Sequence, residues 1–192
     1  MRAVAMPAGT TGRRLVWTVC FFLAGILMLP GVAQAKTAQE IDAGVNAVLV
    51  RFMGQVQGSR ELLQAAKGVL VFTDVIQAGL GIGGQYGEGA LRMHNRTVAY
   101  YNIASASIGF QLGAQKKDII LVFLQDKALQ DFRVKSGWQA GVDGSVVLVT
   151  LGAHGSIDTT KINEPIVGFV IGQAGLMYNL TLEGSKISRI QR

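Results

Sequence analysis

Residues 79–89 read "GLGIGGQYGEG", and the fold class turns on whether this stretch is a nucleotide loop or a strand. Gly79, Gly81 and Gly84 satisfy G-x-G-x-x-G, and the apolar run "VLVF" at 69–72 precedes them as the first strand of a dinucleotide-binding unit would. Such a loop needs its last glycines to open a helix, whose N-terminus meets the pyrophosphate. Here Gly84 is followed by Gln85, Tyr86, Gly87, Glu88, Gly89 and Ala90, which carry no apolar stripe at helical spacing. The glycines instead recur at every second position, 79, 81 and 83, then 87 and 89. Residues two apart share one face of a strand. Small residues repeat the pattern at Ser105, Ser107, Gly109 and Gly113, and at Gly141 with Ser145. Glycine weakens an ordinary strand. A row of it on one face therefore predicts a place where another backbone comes close, or where the sheet coils tightly. On this reading the glycines are architectural and no nucleotide is bound.

The N-terminus reads as a leader. Arg2, Arg13 and Arg14 precede an apolar run from Leu15 to Leu29, and "PGVAQA" then places Ala33 and Ala35 as an A-x-A site. That order is a secretory signal peptide, with cleavage expected between Ala35 and Lys36. The run is short for a membrane span of about 20 residues. Residues 1–35 are thus assigned to the signal peptide and 36–192 to a single domain in the periplasm. The one cysteine, Cys20, leaves with the leader, so the mature chain has neither a disulfide nor a cysteine-ligated metal. Losing three arginines takes the formal charge from +6 to +3. This is too mild for a nucleic-acid footprint, though it favours an anionic membrane surface weakly.

In the mature chain "TAQE" at 37–40 is a capping box. Ile41, Val45, Val48, Leu49 and Phe52 then mark one face of a first helix. A second helix is expected from Ser59, with Glu61 in its first turn and Gly68 as its stop. Beyond Gly68 the period becomes two. "VLVF", "RTVAYYNI", "DIILVFL", "GSVVLVTL", "PIVGFVI" and "GLMYNLTLEG" read as strands. In the last of these Leu176, Tyr178, Leu180 and Leu182 form one face. The continuous apolar run "IILVFL" predicts burial on both faces. Turns are expected at 94–95 and 153–156, and one helix from Asp126 to about Ser136, with Leu129 and Phe132 inward and Gly137 as its stop. "IGGQYG" at 82–87 echoes "IGFQLG" at 108–113, as two neighbouring strands of one sheet would.

"AKGVLVFTDVIQAGLGIGGQYGEGALR", "YYNIASASIGFQLGAQKKDIILVFL" and "GLMYNLTLEGSKISRI" together resemble the SYLF domain family of lipid-binding proteins, in its bacterial exported branch, over residues 59 to 190. The resemblance implies an α+β fold, with N-terminal helices packed on a curled, glycine-rich, mostly antiparallel β-sheet or partial barrel. It also implies a non-enzymatic protein that binds membrane phospholipids without a cofactor. Eukaryotic relatives often carry a lysine where this chain has Gln77.

The remaining candidates are judged by residue type. His94 and His154 fall in expected turns and read as solvated, not as metal ligands. Asp143 and Glu183 read as solvent-facing strand positions, with a carboxylate pair or cation site as the other reading. "AHGS" lacks the G-x-S-x-G of a nucleophile elbow. Lys116 and Lys117 are the densest basic spot, and Arg92 and Arg96 lie on a neighbouring expected hairpin. These four are the candidate lipid-binding residues, against a reading of the lysine pair as an ordinary solvated turn. The first helix either dips into a bilayer interface or covers the sheet, and its lysine-poor polar face favours the second. The function expected is that of an exported, phospholipid-binding protein at the periplasmic membrane face. The rival is a scaffolding envelope protein that binds another protein.

Overall fold

The computed structural model describes residues 35–149, 164–172, 175–176 and 182–192, and only the backbone of 80–82, 107–113 and 175–176. The expected signal peptide before Ala35, His154 with its turn, the last two residues of "GSVVLVTL" and the Tyr178 and Leu180 face lie outside these residues.

Helix α1 (Ala38–Gln55) starts at the capping box. Thr37 Oγ1 accepts from the Glu40 amide at 3.2 Å, and Glu40 Oε2 accepts from the Thr37 amide at 2.7 Å. Ile41, Val45, Val48 and Phe52 are buried along one stripe. Each contributes roughly 1.5–3 kcal/mol of apolar burial. Helix α2 (Ser59–Ala65) follows Gly58, whose φ of 84° is left-handed. It stops short of the expected Gly68. Ala66 is already extended, and the Lys67 amide donates to Phe123 O at 2.8 Å, which enters the chain into the sheet.

Strands β1 (Gly68–Met93) and β2 (Arg96–Phe123) form one hairpin, paired from Met93 with Arg96 to Gly68 with Phe123. The turn is His94–Asn95, with φ of 49° and 61°. Positive φ at both positions is the hand that matches strand twist. "VLVF" and the glycine stretch are thus one strand, and so are "RTVAYYNI" and "DIILVFL". Gly79 pairs with Gly113, Gly81 with Gly109, Ile82 with Ile108 and Gly83 with Ser107. Small residues on both strands let the ribbon bend while keeping its pairing, and the two echoing segments are neighbours as expected.

The bend returns β1 against itself. A Cβ on Gly87 would lie 2.6 Å from Val75 Cγ2, and one on Gly89 would strike the Val71 carbonyl and sit 2.7 Å from Phe72 Cα. These two glycines meet the close approach that the alternation predicts. Helix α1 covers the seam so formed, with Gly44 on Thr73, where an added Cβ would come within 3.1 Å of Thr73 Oγ1.

Helix α3 (Asp126–Val134) ends two residues before the expected Ser136, because Lys135 turns extended. The further strands are β3 (Trp138–Gln139), β4 (Val147–Leu148), β5 (Ile166–Gly172), β6 (Gly175–Leu176) and β7 (Lys186–Ile190). β5 pairs with β2 at 117–123 and β7 with β2 at 100–104. β3 joins β7, β6 joins β5, and β4 runs parallel to β5. Among the described residues this is one mostly antiparallel, seven-stranded sheet curled into a half-barrel. Together with the helices it gives the expected α+β class.

Ile119 to Phe123 are fully buried, because both faces of the sheet are covered. One face packs Leu70, Phe72, Leu91 and Tyr101 on Leu129, Phe132 and Trp138. The other packs Val71, Ala90, Ile120 and Phe169 under α1 and α2. Three expectations need correction. Asp143 and Glu183 lie in turns, not strands, because Gly141 and Gly184 adopt φ of 83° and 78°. Lys116 and Lys117 lie inside β2, opposite Ile76 and Val75, and form no turn. "KISRI" is a strand that the sequence reading omits.

Candidate functional site

Two groups of cations stand out among the described residues. The first surrounds α1. Asp42 accepts from Thr97 Oγ1 at 2.6 Å and from the Tyr100 hydroxyl at 3.1 Å. Burial, and next the bond to Asp42, hold the Tyr100 hydroxyl above its ordinary range. Arg92 Nη2 donates to Asn46 Oδ1 at 2.9 Å and lies 3.6 Å from Asp42. Arg92 is therefore spent on fastening α1 to the hairpin.

Asp74 sits in a β-bulge with a left-handed φ of 52°. Its amide donates to Asp118 Oδ1 at 2.9 Å, and Asp118 also holds Arg51. Lys36 donates to Thr73 Oγ1 and to Asp74 Oδ2, both at 3.1 Å, and Lys116 Nζ lies 4.0 Å from Asp74. Lys117 is buried, and its Nζ donates to Gln77 Oε1 at 2.7 Å. Burial pushes its amine below the usual lysine range. Gln77 thus receives an ammonium, and a lysine there would set like charge against Lys117. Of the four sequence-expected residues, Arg92 and Lys117 point into the protein, Lys116 is exposed but near Asp74, and Arg96 is exposed at the hairpin turn.

The second group lies where α3 meets β7. Arg189 is the cross-strand partner of Tyr101. The Tyr101 ring packs 5.0 Å from Phe132, and Arg133 follows Phe132 in the last turn of α3. Burial raises the Tyr101 hydroxyl, while Arg189 and Arg133 act on it in the opposite sense. Lys186 reaches across Gly137, where a Cβ would lie 2.7 Å from its Cε. Arg133, Lys186 and Arg189 are exposed, and among the described residues none has an acidic partner. The sequence reading missed all three. The available signal was cations at 186, 189 and 192 in a segment that ends strand-like. Arg192 differs, since it grips the buried Glu88, which also accepts from the Tyr86 hydroxyl at 2.9 Å.

Asp143 is committed as well. Lys135, and next the Gln139 amide, hold its carboxyl below the usual range. Among the described residues no three His, Cys, Asp or Glu side chains could hold a metal, and no helix is long and apolar enough to cross a membrane.

Residues 104–192 match the family model described as Las17-binding protein actin regulator (Ysc84). The chain is also 28% identical, over 156 residues, to beta cell expansion factor A of Aeromonas veronii. That match takes in 79% of this chain and 58% of the relative, so the chain spans little more than half the length of the relative. With the curled half-barrel and its N-terminal helices, these matches agree with the resemblance to the SYLF family that the motifs of the glycine-rich ribbon carry.

Proposed function

We propose that the protein is an exported, non-enzymatic phospholipid-binding domain that acts peripherally at the periplasmic face of a membrane, after its leader is removed at Ala35. The observation that carries this reading is a set of exposed cations left without acids among the described residues: Arg60 on α2, Arg96 at the hairpin turn, and Arg133, Lys186 and Arg189 at the α3–β7 edge. The apolar stripe of α1 is used up in the core, which supports an attachment steered by charge. Each cation near an anionic surface adds roughly 1 kcal/mol.

Co-sedimentation of the domain from residue 36 onward with phosphatidylglycerol-containing vesicles, across a salt series, tests this. Binding at low salt that falls as salt rises is the expected result. A protein that ignores such vesicles at low salt is instead a scaffold with a protein partner, a reading supported by the words "Las17-binding" in the family description. Intact-mass analysis of the exported chain should find a start at or within a few residues of Lys36. Full-length protein anchored in the membrane would overturn the periplasmic reading.

A further inference from the structure

We propose that Arg133 and Arg189, converging on Tyr101 at the edge between α3 and β7, form a phosphate-receiving site whose ligand is the headgroup phosphate of an anionic phospholipid. The inference rests on the membrane reading above and gives it a location.

Both arginines are held by rigid elements. Arg189 is fixed in register opposite Tyr101 by the β2–β7 ladder. Arg133 is fixed by Phe132, whose ring packs 5.0 Å from Tyr101, 5.0 Å from Phe123 and 5.6 Å from Trp138. A packed aromatic floor thus carries two guanidiniums at its rim. Three other arginines hold carboxylates: Arg51 with Asp118, Arg92 with Asp42, Arg192 with Glu88. Arg133 and Arg189 hold none among the described residues. The negative end of the α3 dipole accounts for a cation at Arg133, but Arg189 stands in a strand and has no such reason. Two guanidiniums acting on one nearly buried tyrosine repel each other until an anion joins them, and their planar forks suit the oxygens of a phosphate.

Val134 decides between a lipid and a free phosphate. It follows Arg133 and is 80% exposed, the most exposed large apolar side chain of those described. An apolar group beside a cation at a membrane surface has acyl chain to cover it, whereas inorganic phosphate leaves it bare. Lys186 adds positive potential along the same edge.

The test compares the wild-type domain with Arg133→Gln/Arg189→Gln and with Arg96→Gln. Binding is measured to phosphatidylcholine vesicles with and without phosphatidylglycerol, and thermal shift is measured with inorganic phosphate. The double variant should keep its melting temperature and lose about tenfold or more of its affinity for the anionic vesicles. Arg96→Gln should lose less. If the double variant loses stability, the singles Arg133→Gln and Arg189→Gln serve instead, and each should lose several-fold. Equal binding by wild type and double variant overturns the site while leaving the membrane reading intact. No binding by wild type overturns both. A phosphate-induced shift that depends on the two arginines, without vesicle binding, overturns the lipid as ligand.

Discussion

At the seam under α1 the cations have carboxylates: Lys36 and Lys116 with Asp74, Arg51 with Asp118, Arg92 with Asp42. At the α3–β7 edge Arg133, Lys186 and Arg189 have none among the described residues. The difference follows from what each region encloses. The seam is where one strand's backbone meets itself, and the polar groups at its margin are half-buried and need partners. The edge is already closed by aromatic rings, so its charges add little to folding and stay free for a ligand. Within this one fold, Arg51 and Arg92 fasten α1 to the hairpin, while Arg133, Lys186 and Arg189 lie on the outward surface.

Four substitutions sharpen or break that contrast, and the seam should be far the more sensitive region. Gly89→Val drives a side chain into the Val71 carbonyl and Phe72 Cα. It should cost at least about 4 kcal/mol, or prevent folding, because backbone must move. A wild-type denaturant midpoint would mean that the strand does not cross itself there. Val48→Asp buries an unpaired carboxylate beneath α1 and should cost about 3 kcal/mol. An unchanged melting temperature with lost vesicle binding would instead make α1 an interfacial anchor. Asp42→Ala leaves Arg92, Thr97 and Tyr100 without their shared acceptor, a loss of about 1–2 kcal/mol at this partly exposed site. Arg96→Glu, an exposed change, should stay within about 0.5 kcal/mol while weakening vesicle binding.

Acid provides a further probe. The Thr37 amide holds the Glu40 carboxyl low in the folded state, as Lys135 does for Asp143. Carboxyls with depressed folded values contribute stability above their unfolded values of about 4, and that contribution fades as pH falls through the folded ones. Melting temperature should therefore drop below about pH 4, and Asp143→Asn should shallow the drop. The same slope in the variant would remove Asp143 from the effect.

The sequence makes α1 legible because a capping box and a helical stripe are local signals. It makes the glycine rows legible because period two needs no knowledge of the partner. It does not show that the rows lie within two continuous strands, because the partner that accommodates Gly89 is Val71 of the same strand, brought there by a bend that no short window contains. Arg92 was a reasonable surface candidate until Asp42 and Asn46, on a different element, came to face it. Nothing local marks Arg133 and Arg189, for the converse reason. They are far apart in sequence, and only the pairing of β7 with β2 and the stacking of Phe132 on Tyr101 bring them together. "KISRI" carries no clear strand signal because two of its five residues are cations, yet Ile187 anchors it in the core.

The His94–Asn95 turn also bears on the order of assembly. A two-residue turn of the right hand closes the smallest possible loop, so pairing can begin at Met93 and Arg96 and run outward, each step enlarging the loop only slightly. Gly68 and Phe123 then meet last, and the place where Val71 rests on Gly89 does not exist until they do. Helix α1, which leaves the ribosome before any strand, has no seat until the ribbon has zipped. The earliest element of the domain is thus the latest to dock, and its apolar stripe stays uncovered for most of folding.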